Sequence, residues 1–135
     1  MKQIQVSFRS GGPVYLQLVD QIRQQVSAGD LLPGDQLPTV RQLAAELRLN
    51  FNTIARAYRI LDEAGLISTQ QGRGTYISEE TPPGVLAEIR QRSLEELTRA
   101  YLGEARQLGF SAEDIRQQIG EIIRAESSEN KKGEK

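Results

Sequence analysis

The stretch from Leu37 to Ile77 constrains this chain more than any other part of it. It contains a short segment with an apolar stripe, a tight connection, a second segment with one apolar and one polar face, and two β-prone runs around Gly-Arg-Gly. A helix, a turn, a second helix and a hairpin in this order form a winged helix-turn-helix, whose second helix enters a groove of DNA. The stretch therefore predicts a mainly α fold with a small β-wing.

Local signals mark where each of these elements begins and ends. Thr39 precedes the first helix and Gln42 follows three residues later, which is the spacing of a capping box. Asn50 is the expected cap of the second helix, and Gly65 is expected to end it in a left-handed conformation. The buried stripes have helical spacing, and their members are Val40, Leu43 and Leu47 in the first helix and Ile54, Tyr58 and Leu61 in the second.

The N-terminal part predicts one further helix. Residues 1–9 alternate apolar and polar, which favours either a short strand or an extended arm laid on the surface. Residues 14–28 place apolar side chains three and four apart, and Gly29 follows, so these residues predict an amphipathic helix.

The composition changes after Ser78, and this change predicts a second region. A Pro-rich stretch is followed by helical periodicity from about 85 to 108, and Ser111 begins another helix. From Glu126 onward there is no apolar residue, so that segment is expected to be disordered. The predicted organisation is a winged helix-turn-helix domain at 1–78, a linker at 79–84, a helical dimerisation segment at 85–125 and a disordered tail at 126–135.

Two helices alone cannot bury both of these apolar stripes, so they must pack on the first domain or on a second subunit. A dimer is the simpler interpretation, because a helix-turn-helix that reads a palindrome needs a two-fold partner. The residues expected to dimerise are Leu86, Ile89, Leu94, Leu97, Tyr101, Leu108, Ile115, Ile119 and Ile122.

Residue types that are missing exclude several classes of function. The chain has no Cys and no His, which removes thiolate zinc sites, cysteine nucleophiles and the commonest general base. We therefore expect no metal, no cofactor and no enzymatic activity. No apolar run approaches the roughly 20 residues that a membrane helix needs, and no signal peptide opens the chain, so the expected location is the cytoplasm.

The net charge of −1 hides an uneven distribution. Residues 1–78 contain eight basic and six acidic side chains, whereas residues 79–135 contain nine basic and twelve acidic ones. The basic excess thus lies in the part that contains the predicted helix-turn-helix, but the placement of Arg41, Arg56 and Arg73 counts for more than an asymmetry of this size.

The polar face of the second helix has the residue types that read DNA. Asn52, Thr53, Arg56 and Arg59 can pair with base edges or phosphates, and Arg73 stands between Gly72 and Gly74 at the tip of the predicted wing. An ion pair with Glu63 at i+4 would explain Arg59 equally well. These side chains predict a double-stranded DNA partner.

Residues 13–77 resemble the DNA-binding domain of the GntR family of bacterial transcription regulators. The resemblance lies in P-V-Y-L-Q-L at 13–18, L-P-G-D-Q-L-P-T-V-R-Q-L-A at 32–44, N-F-N-T-I-A-R-A-Y-R-I-L at 50–61 and G-L-I-S-T-Q-Q-G-R-G-T-Y-I at 65–77. The short two-helix region is similar to that of the YtrA-type branch, which lacks a large effector-binding domain. Phe51 departs from this branch, which commonly has Pro there.

The resemblance implies a homodimeric repressor that binds an inverted-repeat operator, often of genes for ATP-binding-cassette transporters. It also implies base contact by Arg41, recognition-helix contacts by Asn52, Thr53 and Arg56, and a wing-tip contact at 72–74. The alternative is a winged-helix module for protein interaction, which would usually show apolar or acidic residues on the outer face of 52–63. Whether a small-molecule effector exists does not follow from the sequence.

Overall fold

The computed structural model describes residues 1–9, 12–70 and 72–133. Within these ranges the chain forms five helices and a three-stranded antiparallel sheet, which confirms the predicted mainly α fold with a β-wing. It divides into two compact units, Met1–Leu97 and Thr98–Lys135. The elements are α1 Val14–Ser27, β1 Gln36–Leu37, α2 Val40–Leu47, α3 Phe51–Glu63, β2 Ile67–Gln70, β3 Gly74–Ile77, α4 Val85–Gln107 and α5 Ala112–Gly133.

The ends of the two central helices follow from local hydrogen bonds. The hydroxyl of Thr39 accepts from the Gln42 N–H at 3.1 Å, and the Gln42 side chain accepts from the Thr39 N–H at 3.0 Å, so the predicted capping box is present. Asn50 caps α3 by accepting from the Asn52 N–H at 2.8 Å. Gly65 follows α3 with φ of +89°, a conformation that L side chains rarely adopt.

The core of the first unit forms where α1 packs on α3. Leu18, Val19 and Ile22 from α1 meet Ile54 and Leu61 from α3, and all of them are fully enclosed. Burying each such side chain contributes about 1.5–3 kcal/mol. This packing presents the opposite side of α3 to solvent.

The start of α4 also belongs to this core. Val85 and Ile89 are buried in it and Leu86 packs against it, so the first unit extends to Leu97 and does not end at 78 as predicted. Residues 79–84 therefore connect two parts of one unit. The Pro-rich composition was a correct sign of a loop, but it carried no information on what the following helix packs against.

The N-terminal residues form an extended arm along α1 and are not assigned as a strand. Three glutamines of α1 bond to the arm backbone: Gln25 accepts from the Lys2 N–H at 2.9 Å and donates to the Lys2 carbonyl at 3.0 Å. Gln21 and Gln17 bond in the same two-way manner to the backbones of Gln5 and Ser7. Ile4 is buried, which anchors the arm on the core.

The sheet contains one strand more than the predicted hairpin. β3 lies between β1 and β2, with Gln36 opposite Tyr76 on one side and Ser68 opposite Tyr76 on the other. The short β1 belongs to the connection between α1 and α2, and its Leu37 is buried. A strand of only two residues has no periodicity that a sequence pattern could reveal.

In the second unit, a turn connects the C-terminal end of α4 to the start of α5. A second capping box lies at the start of α5. The Ser111 hydroxyl accepts from the Asp114 N–H at 3.1 Å, and the Asp114 carboxylate accepts from the Ser111 N–H at 3.0 Å. The bond that the Ser111 N–H donates to this carboxylate holds the pKa of Asp114 below its ordinary value.

α5 continues to Gly133, whereas disorder was expected from Glu126. A helix that has already formed gains one hydrogen bond for each added residue without a new nucleation cost. The polar residues of this segment are therefore compatible with a helical extension, and residues 126–130 are exposed. Residues 134 and 135 of the predicted tail lie outside the described residues.

Candidate nucleic-acid interface

α3 presents two exposed edges on either side of its solvent-facing surface. Its core face consists of Ile54, Ala57, Tyr58, Ile60 and Leu61. With about 100° between successive residues, Arg56 lies about 140° around the helix from Phe51. We call the side with Arg56 and Glu63 the α4 edge, and the side with Phe51 and Ala55 the outer edge. Arg59 and Asn52 lie between the two edges, about 80° and 100° around the helix from Phe51.

The α4 edge is occupied by contacts within the first unit. Arg56 Nη2 lies 3.3 Å from Glu96 Oε2, and its guanidinium carbon lies 4.0 Å from the centroid of the Tyr15 ring. The Tyr15 hydroxyl donates to the same Glu96 oxygen at 2.7 Å. Burial and this hydrogen bond to a carboxylate raise the pKa of Tyr15. Arg56, a predicted base reader, is therefore bound to α1 and α4.

A second ion pair continues along the same edge. Arg92 Nη2 lies 2.7 Å from Glu63 Oε2. Because Glu63 is paired with Arg92, the alternative that Glu63 neutralises Arg59 does not hold in this structure. Arg59 is exposed, and among the described residues it has no ion pair. The two arginines therefore differ in their contacts: Arg56 has partners in α1 and α4 although 57% of its side chain is exposed, whereas Arg59 has no ion pair among the described residues.

The N-terminus of α2 adjoins the outer edge. The Tyr58 hydroxyl donates to the Pro38 carbonyl at 2.6 Å, which ties the segment before α2 to α3, and burial raises the pKa of Tyr58. Tyr58 lies only about 20° around α3 from Phe51. Arg41, the second residue of α2, is exposed and has no ion pair within the described part of the chain.

The remaining two predicted readers of α3 differ in exposure. Asn52 lies in the first turn and is exposed, with its backbone N–H used by the Asn50 cap. Thr53 is half-buried, and its backbone N–H bonds to the Asn50 carbonyl. Asn52 is thus open to a ligand, whereas Thr53 has only part of its surface available.

The wing tip is held by bonds to the backbone of Arg73. The Tyr76 hydroxyl and the Gln36 amide donate to the Arg73 carbonyl at 2.8 and 3.4 Å. Gly72 and Gly74 have φ of +77° and +114°, and a Cβ on Gly74 would lie 2.8 Å from Gln36 Nε2. Arg73 is exposed, and no ion pair of its side chain is found in the described ranges. The two glycines therefore determine the shape of the tip that presents Arg73.

The residues predicted to dimerise fall into two groups. Ile89 is buried in the core of the first unit and Leu86 packs against that core. Ile115 is buried in the second unit. Phe110 and Ile123, which were not among the residues predicted to dimerise, are exposed as well. The other predicted residues also remain exposed; they are Leu94, Leu97, Tyr101, Leu108, Ile119 and Ile122.

The described residues contain no cluster of three or more acidic side chains arranged to hold a metal ion. Within the same residues, no helix has the length and apolar character needed to cross a membrane.

Comparison with known proteins identifies the family of this chain. The family model described as bacterial regulatory proteins of the gntR family matches residues 14–77. The transcriptional repressor YtrA of Bacillus subtilis is 37% identical over 119 residues, which cover 88% of this chain and 91% of that protein. The uncharacterized regulator YhcF of the same organism is 34% identical over 108 residues, 80% of this chain and 88% of the relative.

A solved structure agrees with this relationship. YtrA from Sulfolobus acidocaldarius, a GntR-family transcription factor, superposes with a TM-score of 0.53 at 28% identity and covers 90% of this chain and 97% of its own. The relatives are transcriptional regulators and not enzymes. The chain therefore belongs to the GntR family of bacterial regulatory proteins and is a DNA-binding transcriptional regulator.

Proposed function

We propose that this protein is a cytoplasmic homodimeric repressor that binds an inverted-repeat operator in double-stranded DNA. The observation that carries the proposal is that three elements of the winged helix-turn-helix each present an arginine without an ion pair among the described residues. These arginines are Arg41 at the start of α2, Arg59 on α3 and Arg73 at the wing tip. The similarity to the repressor YtrA supports the direction of regulation.

In this proposal α3 lies in the major groove, with its outer edge and the surface that contains Arg59 and Asn52 towards the bases. Arg59 and Asn52 have the donors and acceptors for base edges, and Arg41 approaches from the neighbouring helix to a base or a phosphate. Arg73 contacts the flanking backbone or minor groove. Arg56 has a smaller part than the sequence indicated, because a DNA contact would have to replace its bonds to Glu96 and Tyr15.

The proposal of a dimer is supported by the apolar side chains that the second unit leaves in solvent. Tyr101, Leu108, Phe110, Ile119 and Ile122 are between 38% and 77% exposed. A concentration of exposed large apolar residues is typical of an interaction surface. A second copy would bury them and would provide the two-fold symmetry that an inverted repeat requires.

The proposal is tested by selecting bound sequences from a random DNA library with the full-length protein. A palindromic consensus with half-sites about 10 bp apart is expected, and its affinity should fall with salt with a log–log slope near −0.9 for each phosphate contacted. Footprinting on the gene's own promoter would then locate the operator. Failure to enrich any sequence would contradict operator binding and would favour the protein-interaction alternative.

The class of controlled genes and the direction of control need a separate measurement. The resemblance to the YtrA-type branch implies transporter genes of the ATP-binding-cassette class. Transcript profiling of a deletion strain should show increased transcription of such genes where the selected operator lies upstream. Decreased transcription there would contradict repression without contradicting DNA binding.

A further inference from the structure

We propose that Phe51 reads the 5-methyl group of a thymine in each half-site of the operator. This inference rests on the proposed function, since it assigns one base contact within the DNA surface described above. Phe51 is the first residue of α3, and its side chain is 50% exposed. It lies at the outer edge, one helical turn before Ala55 and two turns before Arg59.

The first argument for this contact is the position of Phe51 on α3. The outer edge is the side next to α2, because Tyr58, about 20° away around the helix, bonds to the Pro38 carbonyl. On the other edge, Arg56 and Glu63 are paired with Glu96 and Arg92. Phe51 lies about 80° around α3 from Arg59 and about 100° from Asn52, on the side away from these ion pairs. A DNA groove that receives the start of α3 from the side of α2 would thus also receive the Phe51 ring.

The second argument for this contact is the polar character of the residues around Phe51. Asn52, Arg59 and Asp62 are exposed and polar, and Ala55 has no side chain long enough to cover the ring. One aromatic ring within a polar surface does not form the contiguous apolar patch that a protein partner usually requires. It is suited to a small apolar target inside a polar groove.

The chemistry of the major groove identifies that target. Guanine, cytosine and adenine present hydrogen-bonding groups there, and thymine adds a methyl group to its carbonyl acceptor. A phenyl ring cannot satisfy a donor or acceptor that it removes from water, whereas it gains free energy by burying a methyl group. Phe51 therefore favours a base pair with thymine at its contact position.

The experiment uses the full-length protein and the operator selected from a random library. Each thymine of the operator is replaced by deoxyuridine, which removes only the methyl group. At one symmetric position, the wild type should lose about fourfold in affinity for each methyl group removed. Phe51→Ala should bind more weakly than wild type and lose its sensitivity to that methyl group.

Two further variants make the result specific. Phe8→Ala removes another exposed ring from the first unit, outside the helix-turn-helix, and should retain the wild-type response to deoxyuridine. Phe51→Leu retains an apolar side chain and should retain the preference for thymine, which also provides a test if Phe51→Ala folds poorly by circular dichroism.

Either of two results would overturn the inference: wild-type binding that ignores every thymine methyl group, or the same methyl sensitivity in folded Phe51→Ala as in the wild type. In both cases a specific operator would still have been found, so the proposed function would stand. A library that yields no consensus would instead remove the proposed function, and this inference with it.

Discussion

Arg56 of α3 and Glu96 of α4 lie 40 residues apart in the sequence and form an ion pair with 3.3 Å between Nη2 and Oε2. Glu96 also accepts the hydroxyl proton of Tyr15, whose ring lies 4.0 Å below the Arg56 guanidinium. One carboxylate therefore joins α1, α3 and the first half of α4. This contact distinguishes Arg56, which has partners in α1 and α4, from Arg59, which has no ion pair among the described residues.

We predict that Arg59→Ala and Arg41→Ala each weaken operator binding by about 1–3 kcal/mol and relax specificity. Arg56→Ala, which removes the same group from the neighbouring edge of α3, should weaken binding less, because its guanidinium is already engaged. Fluorescence anisotropy on the selected operator and on a scrambled duplex measures both quantities. A larger loss for Arg56→Ala than for Arg59→Ala would return base reading to the α4 edge.

The contribution of the Arg56–Glu96 pair to stability should be small. Their side chains are 57% and 24% exposed, so we expect a coupling free energy of about 0.2–1 kcal/mol, decreasing with salt. A double-mutant cycle of Arg56→Ala and Glu96→Ala, followed by urea unfolding at one protein concentration, measures it. The pair Arg92–Glu63 gives a matched cycle on the same edge. A coupling of several kcal/mol would mean that solvent screens this cluster less than its exposure indicates.

Tyr15 should make the stability of the first unit sensitive to alkaline pH. Burial and the bond to Glu96 raise its pKa above the ordinary value of 10.0. A group whose pKa is raised by folding contributes stability that is complete below the unfolded pKa and is lost as pH rises through the folded pKa. Urea midpoints from pH 8 to 11 should therefore fall more steeply for the wild type than for Tyr15→Phe. Since Tyr58 is retained in both proteins, parallel curves would show that Tyr15 makes no such contribution.

Gly74→Ala should destabilise the wing. The φ of +114° is unfavourable for alanine, and the new Cβ would lie 2.8 Å from Gln36 Nε2, so we expect a cost of about 1–2 kcal/mol. Gln36 can move its side chain, and the backbone conformation is thus the larger effect. Gly103→Ala in α4 is the control with opposite sign: nothing lies within 4 Å of its Cβ, and it should stabilise by about 0.5–1 kcal/mol. Thermal or urea unfolding compares the two, and an unchanged stability in Gly74→Ala would show that the tip accepts alanine.

Ile122→Asp should convert the proposed dimer to a monomer. The side chain is 50% exposed in a single chain, so a charge there costs little within the chain but would be buried without a partner between two chains. Light scattering after size-exclusion chromatography gives the mass, and Ser127→Asp on the same helix controls for the added charge. If both variants keep the mass of a dimer, Ile122 lies outside the interface. A wild type with the mass of one chain would contradict the dimer itself.

Several features of the fold could be derived from neighbouring residues alone. The capping box of Thr39 and Gln42, the Asn50 cap and the Gly65 turn each depend on groups within three residues of one another. The apolar spacing in α1 and α3 likewise identified their core faces, because a helix has one period whatever it packs against. The hairpin around Arg73 followed from its glycines in the same way.

The sequence by itself thus determined the start of α2, both ends of α3, the core faces of α1 and α3, and the family to which the chain belongs. Only the tertiary structure decided that Glu63 pairs with Arg92, that Arg56 pairs with Glu96, and that Arg59 is left available. It also decided that Ile89 packs in the core of the first unit. The physical reason is the range of the interactions: caps and periodicity are set within a few residues, whereas these ion pairs join residues 29 and 40 positions apart that no local pattern connects.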